Sequence, residues 1–143
     1  MPILEPDEFE TGNWAESYNF GSFYSSGAEI IVNLFSELSR HILSNSAART
    51  YSDLMTFGYF CRKASLSRAL ASVSALDKRF GWGTVVHISP SNIPINFSYS
   101  LVMGLLSGNS CIVRLPSKRY PQNDLLLDIF GQVIEKSEFE QVR

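Results

Sequence analysis

One switch of period constrains the fold more than any other feature of this sequence. Up to about Lys78, apolar residues recur at spacings of three and four, the period of helices that pack by one face. At Gly81-Trp82-Gly83 that pattern breaks. Thr84-Val85-Val86-His87-Ile88 follows, β-branched enough for a buried strand of a parallel sheet, and Pro90 ends it. Ile95 to Leu106 then predicts an apolar helix, Gly108-Asn109 its C-terminal turn, Ser110 to Arg114 a second short strand, and Pro121 the start of a last helix. Strand, helix, strand, helix in this order predicts an α/β fold with a right-handed βαβ crossover.

The segment before the switch predicts three helices. Ala28, Ile31, Leu34, Leu38 and Ile42 make an apolar stripe on the first, which runs from Ser26 to near Asn45. The second begins near Tyr51, with Ser52 or Thr50 as its cap, and turns Leu54, Phe57, Phe60 and Cys61 inward. The third covers Leu66 to Lys78, with Leu66, Leu70, Val73 and Leu76 on one face. The helix after Pro121 presents Leu125, Ile129, Val133 and Ile134 and reaches Phe139. Residues 1–25, rich in Gly, Ser, Asn and aromatics without a sustained period, predict an irregular arm.

Composition narrows the function classes. An apolar fraction of 45% against 18% charged residues belongs to a globular chain. A net charge of -2 lacks the basic excess of a phosphate-backbone binder, so no nucleic-acid partner is expected. The acidic start, MPILEPDEFETGNW, does not read as a secretory signal, and no apolar run reaches the roughly 18 residues of a membrane span. Cys61 and Cys111 lack the close spacing of a metal or redox motif. These features predict a reduced, cytoplasmic, soluble protein without a metal site.

The chemistry concentrates in His87-Ile88-Ser89-Pro90-Ser91-Asn92-Ile93-Pro94, between the first predicted strand and its helix. Ligands of open α/β sheets bind at such strand tips, where helix amino termini offer free N–H groups. Pro90 and Pro94 restrict the path of the loop, and a carboxamide fixed there, that of Asn92, can donate to an oxyanion. An Asx turn that merely satisfies the loop backbone is the competing reading of Asn92.

Ser89-Pro90-Ser91-Asn92-Ile93-Pro94, then Gly108-Asn109, then Arg114-Leu115-Pro116-Ser117-Lys118 and Pro121 resemble the cofactor domain of the aldehyde dehydrogenase superfamily. There a strand ends in a Pro-Trp-Asn-(Phe)-Pro loop, and the next strand follows a Gly-Asn turn and ends in Lys-Pro-(Ser/Ala). Ser91 replaces the usual Trp and Arg114 the usual Lys. With the run from Val86 to Ser100, these departures resemble the LuxC-type fatty acyl-CoA reductases. The close match covers residues 80–125, with a weaker one around Phe60-Cys61-Arg62-Lys63-Ala64-Ser65-Leu66.

The resemblance implies a Rossmann-like, aldehyde dehydrogenase-like cofactor domain, incomplete here, with residues 1–80 as arm and helices and 81–143 as its first βαβα part. It implies a catalytic Asn92 that helps to hold the oxyanion of a thiohemiacetal. Cofactor contacts fall on Ser89, Pro90, Ser91 and Asn92 in the first loop and on Arg114, Pro116, Ser117 and Lys118 in the second. The implied reaction reduces a long-chain fatty acyl-CoA through an acyl-cysteine. The nucleophile of such enzymes belongs to a later stretch of a longer chain, so these residues read as an amino-terminal part whose full-length protein forms a homo-oligomer or complex. Alternatives are another acylating aldehyde dehydrogenase, a glutamyl-phosphate-type reductase, or a non-catalytic module that binds nucleotide or a partner.

An NAD-selective site sets a carboxylate against the ribose hydroxyls, and the second loop offers Arg114, Ser117 and Lys118 instead, a set suited to a 2′-phosphate. NADPH is therefore the expected cofactor. With Lys118 and Arg119 in solvent and only Arg114 on the ribose, both cofactors remain usable. His87 reads as structural or solvent-facing, His41 as no ligand, and Cys111 as a small apolar strand residue away from the nucleophile position.

Overall fold

A computed structural model describes residues 3–4 and 25–142. Three strands and five α-helices appear among them: β1 (Ile3–Leu4), α1 (Glu29–Ser44), α2 (Ser52–Phe60), α3 (Lys63–Ala71), β2 (Thr84–Ile88), α4 (Asn96–Leu106), β3 (Ser110–Arg114) and α5 (Pro121–Ile134). The strands form one parallel sheet in the order β1-β3-β2. The helix-rich α/β class and the bounds of β2 and β3 agree with the sequence reading.

Helix α1 follows its stripe closely, burying Ile31, Leu34, Phe35, Leu38 and Ile42. At its end the Asn45 side chain accepts the N–H groups of Ala47 and Ala48 at 2.9 and 3.1 Å and starts the 3-10 turn Ala48–Thr50. Ser39, buried on the same helix, donates its hydroxyl to the Gly58 carbonyl at 2.6 Å and ties α1 to α2. Lys136, just past α5, meets the Glu37 carboxylate and lies 3.3 Å from His41 Nε2. Arg40 first, and then Lys136, hold the Glu37 carboxyl well below the usual carboxylate range.

Several expectations are corrected. Helix α2 is capped by neither Ser52 nor Thr50: Tyr51 stands at the N-cap without a side-chain bond, and the Thr50 hydroxyl turns back to the Ala47 carbonyl. The third helix begins earlier, at Lys63, and stops at Ala71. Ser72 donates its hydroxyl to the Ala69 carbonyl and Ala75 adopts a left-handed φ of 52°, so the Ser-rich stretch turns out of the helix before the 3-10 turn Leu76–Lys78. The inward stripe of α5 is rotated by about one position, burying Leu126, Ile129, Phe130 and Val133 with Leu125 and Ile134 only partly covered. That helix ends at Ile134, and a 3-10 segment, Ser137–Val142, buries Phe139 and Val142.

The irregular arm expected over residues 1–25 contains β1, which pairs with the edge of β3 at Ile3↔Val113 and Leu4↔Arg114. Residues 5–24 lie outside the described residues. Strand β2 is not the buried strand its composition predicts, since Val86 and Ile88 are 45% and 68% exposed. Its other face lies under α4, whereas β3 buries Cys111, Ile112 and Val113. One apolar core runs from α1 and α2 through α4 and β3 to α5.

Two glycines give the packing a direct test. A Cβ on Gly81 collides with the backbone carbonyl of Gly108, where the chain passes close before β2 and β3. Gly131 in α5 has open space around it. Gly81→Ala is expected to cost roughly 3 kcal/mol or more, and Gly131→Ala to gain about 0.5–1 kcal/mol by stiffening a helix interior. Urea-unfolding midpoints measure both, and similar midpoints for the two variants contradict this packing.

Candidate functional site

Parallel pairing of β2 with β3, in the register Ile88↔Arg114, sets the two loops that follow these strands side by side. Every site residue expected from the sequence lies on these two loops, except Arg114, which is the last residue of β3. Ser89 is 8% exposed, and its N–H donates to the Arg114 carbonyl at 3.4 Å. Pro90, Ser91 and Asn92 are exposed in the turn that follows. The Asn92 carboxamide makes no hydrogen bond with any described residue, so the Asx-turn reading does not hold here. Pro116 is buried, whereas Ser117 and Lys118 are exposed. Arg114 Nη2 donates to Ser117 Oγ at 3.4 Å, and the Lys118 ammonium lies 4.9 Å from the Tyr120 ring centroid.

Three residues outside the expected set shape the site. Ile95, read from the sequence as the first residue of α4, instead precedes it at φ 46°, ψ 5°. A β-branched residue in this left-handed region carries about 1–3 kcal/mol of strain. The N–H of Ile95 donates to Asn123 Oδ1 at 2.8 Å, and its carbonyl accepts the Ser98 hydroxyl at 2.5 Å. Tyr120 donates its hydroxyl to the Ser91 carbonyl at 3.0 Å. One signal for Asn123 is present in the sequence: a carboxamide three and seven positions before Leu126 and Phe130 interrupts an apolar stripe, where a polar group needs a fixed partner. Tyr120 carries no comparable mark.

His87 faces inward from β2, beneath Gly104 of α4. A Cβ added at Gly104 falls 2.9 Å from His87 Nε2 and 2.6 Å from Cys111 Sγ, so only glycine lets the helix approach. His87 Nε2 is buried without a hydrogen-bond partner, and desolvation lowers the imidazole pKa. The Nε2 end of the half-buried ring thus faces α4 and not solvent. Burial pushes the Cys111 thiol up to about 12 and raises that of Cys61 further. Both are buried thiols with the character of small apolar residues.

Space at the site is limited. A depression of about 10 Å³, lined by residues including Pro116, Lys118, Tyr120 and Asn123, is far below the roughly 300–1,000 Å³ of a typical ligand pocket. A groove of about 720 Å³ lies at the opposite end of the strands, bordered by Phe80, Trp82 and Met103. Among the described residues no helix is long and apolar enough to cross a membrane, and no group of three His, Cys, Asp or Glu side chains is placed to hold a metal ion.

The family model described as acyl-CoA reductase (LuxC) matches residues 51–138. No curated protein and no solved structure matches the chain. The matched span contains α2 to α5 and both loops of the site.

The His87 environment predicts an acid-sensitive stability. Its folded pKa lies below the ordinary 6.5, so the unfolded chain takes up the proton first, and stability present at neutral pH is lost as pH falls through 6.5 toward the folded value. Urea-unfolding midpoints are expected to fall between about pH 7.5 and about pH 5.5, and His87→Leu to flatten part of that slope. An unchanged slope in the variant assigns the acid sensitivity to other groups.

Proposed function

Because the chain belongs to the LuxC acyl-CoA reductase family, we propose that its parent enzyme reduces a long-chain fatty acyl-CoA to the aldehyde through an acyl-cysteine. The nucleophilic cysteine is supplied from outside these 143 residues. One observation carries the reading within this chain: the Asn92 carboxamide is exposed and without a partner among the described residues at the carboxyl end of β2, on a loop bonded at Ser89 and Ser91. A preorganised amide N–H costs no reorganisation when the thioester carbonyl oxygen gains negative charge. Asn92 is thus the oxyanion donor, and Ser89, Pro90 and Ser91 form the wall of the cofactor site.

NADPH, when bound, supplies the hydride. Arg114, Ser117 and Lys118 hold its 2′-phosphate, with Pro116 fixing the turn between them. Arg114 already reaches Ser117, so the guanidinium and the hydroxyl converge, and Lys118 needs only to leave the Tyr120 ring to join them. The small depression at this loop supports edge contact with the nucleotide and leaves its remaining surface to other parts of the enzyme. Exposed Val86 and Ile88 support an oligomer or complex in which this apolar face of β2 is covered.

Asn92→Ala in the whole enzyme is expected to lower kcat about a hundredfold or more, with cofactor affinity nearly unchanged. Wild-type turnover with weakened cofactor binding assigns Asn92 to the nucleotide pocket instead. For the second loop, Ser117→Glu is expected to shift the ratio of catalytic efficiencies toward NADH by tenfold or more, as the carboxylate repels a phosphate dianion. Direct titration of both nucleotides should show the same shift in Kd. A wild type that prefers NADH, or a ratio that does not move, overturns the assignment of Arg114, Ser117 and Lys118.

A further inference from the structure

We propose that Asn123 is a positioning residue for Asn92, a role that rests on the oxyanion reading of Asn92. Asn123 is 5% exposed in the first turn of α5, on the face that also buries Leu126 and Phe130. A carboxamide at that depth persists where a specific bond compensates its desolvation, and its Oδ1 accepts the Ile95 N–H at 2.8 Å. Ile95 is the residue held at φ 46°, and a β-branched residue stays left-handed only where its surroundings over-determine it.

Only Ile93 and Pro94 separate Asn92 from Ile95, and Pro94 has a locked φ, so a change of backbone at Ile95 swings the Asn92 carboxamide as a unit. On the other side Tyr120, the residue before α5, donates to the Ser91 carbonyl at 3.0 Å. Asn92 is therefore bracketed at residues 91 and 95 by two anchors from one neighbouring segment. Removal of the Asn123 anchor lets Ile95 relax toward the right-handed region and displaces the amide. A displacement of about 1 Å at such a group costs on the order of a hundredfold in rate.

The test uses the whole enzyme with acyl-CoA and NADPH. Asn123→Leu removes the acceptor at similar volume and is expected to lower kcat about tenfold or more, with KM for either substrate within about twofold. Asn123→Asp keeps an acceptor oxygen in a helix first turn that favours a carboxylate, and is expected to recover most of that loss. In an Asn92→Ala background, Asn123→Leu is expected to lower kcat by less than about twofold more, because the group it positions is gone. Should Asn123→Leu fail to fold, Tyr120→Phe deletes a single hydroxyl from the other anchor and must show the same dependence on Asn92. If Asn92→Ala lowers turnover but the Asn123 or Tyr120 effect is absent, or is equally large without Asn92, the positioning role fails and the oxyanion reading stands. Full turnover in Asn92→Ala removes the oxyanion reading itself, and the role of Asn123 with it.

Discussion

The parallel pairing of β2 with β3 is the constraint from which the rest of the arrangement follows. Parallel neighbours cannot be joined by a tight turn, so the chain must travel back along the sheet between them, and α4 makes that crossing. The return puts the ends of both strands on one side, and with them Arg114 at the tip of β3 and the two loops that carry Ser89 to Pro94 and Leu115 to Lys118. It also lays α4 across the sheet, which buries His87 and Cys111 beneath Gly104 and leaves Val86 and Ile88 on the uncovered face. Chemistry and core packing thus share one cause.

What was legible in the sequence is what depends on composition and period. Four β-branched residues and one histidine between a glycine cluster and a proline locate β2 to the residue, and the stripe from Ile31 to Ile42 locates α1 almost as well. The order of elements then puts the candidate loops at the strand tips. The legible part of the site is its loop chemistry: a proline-bracketed asparagine, and a loop with cations and no carboxylate.

What was not legible depends on a partner far along the chain. Nothing near Ile95 announces a left-handed residue, because the bond that holds it comes from Asn123, twenty-eight positions later. The phase of α5 is ambiguous from its own apolar residues, since Leu125, Leu126 and Leu127 are consecutive and only packing against the shared core decides which faces inward. The composition of β2 fits a strand covered on both faces, but a sequence does not state how many layers surround it. Two residues, Ile3 and Leu4, are too few to declare a strand by pattern alone; they become one through β3.

That last pairing has a kinetic side. Ile3 finds Val113 across more than a hundred intervening residues, so β1 is the most sequence-distant member of the sheet. Closing so long a loop is entropically costly until β2, β3 and the helices have made their nearer contacts. During synthesis Ile3 and Leu4 emerge about 110 residues ahead of their partners on β3, a delay on the order of 5–20 s at ordinary ribosomal speeds. For that interval the outer edge of the sheet does not exist, and a nascent chain stalled before β3 leaves its first apolar residues with nowhere to dock.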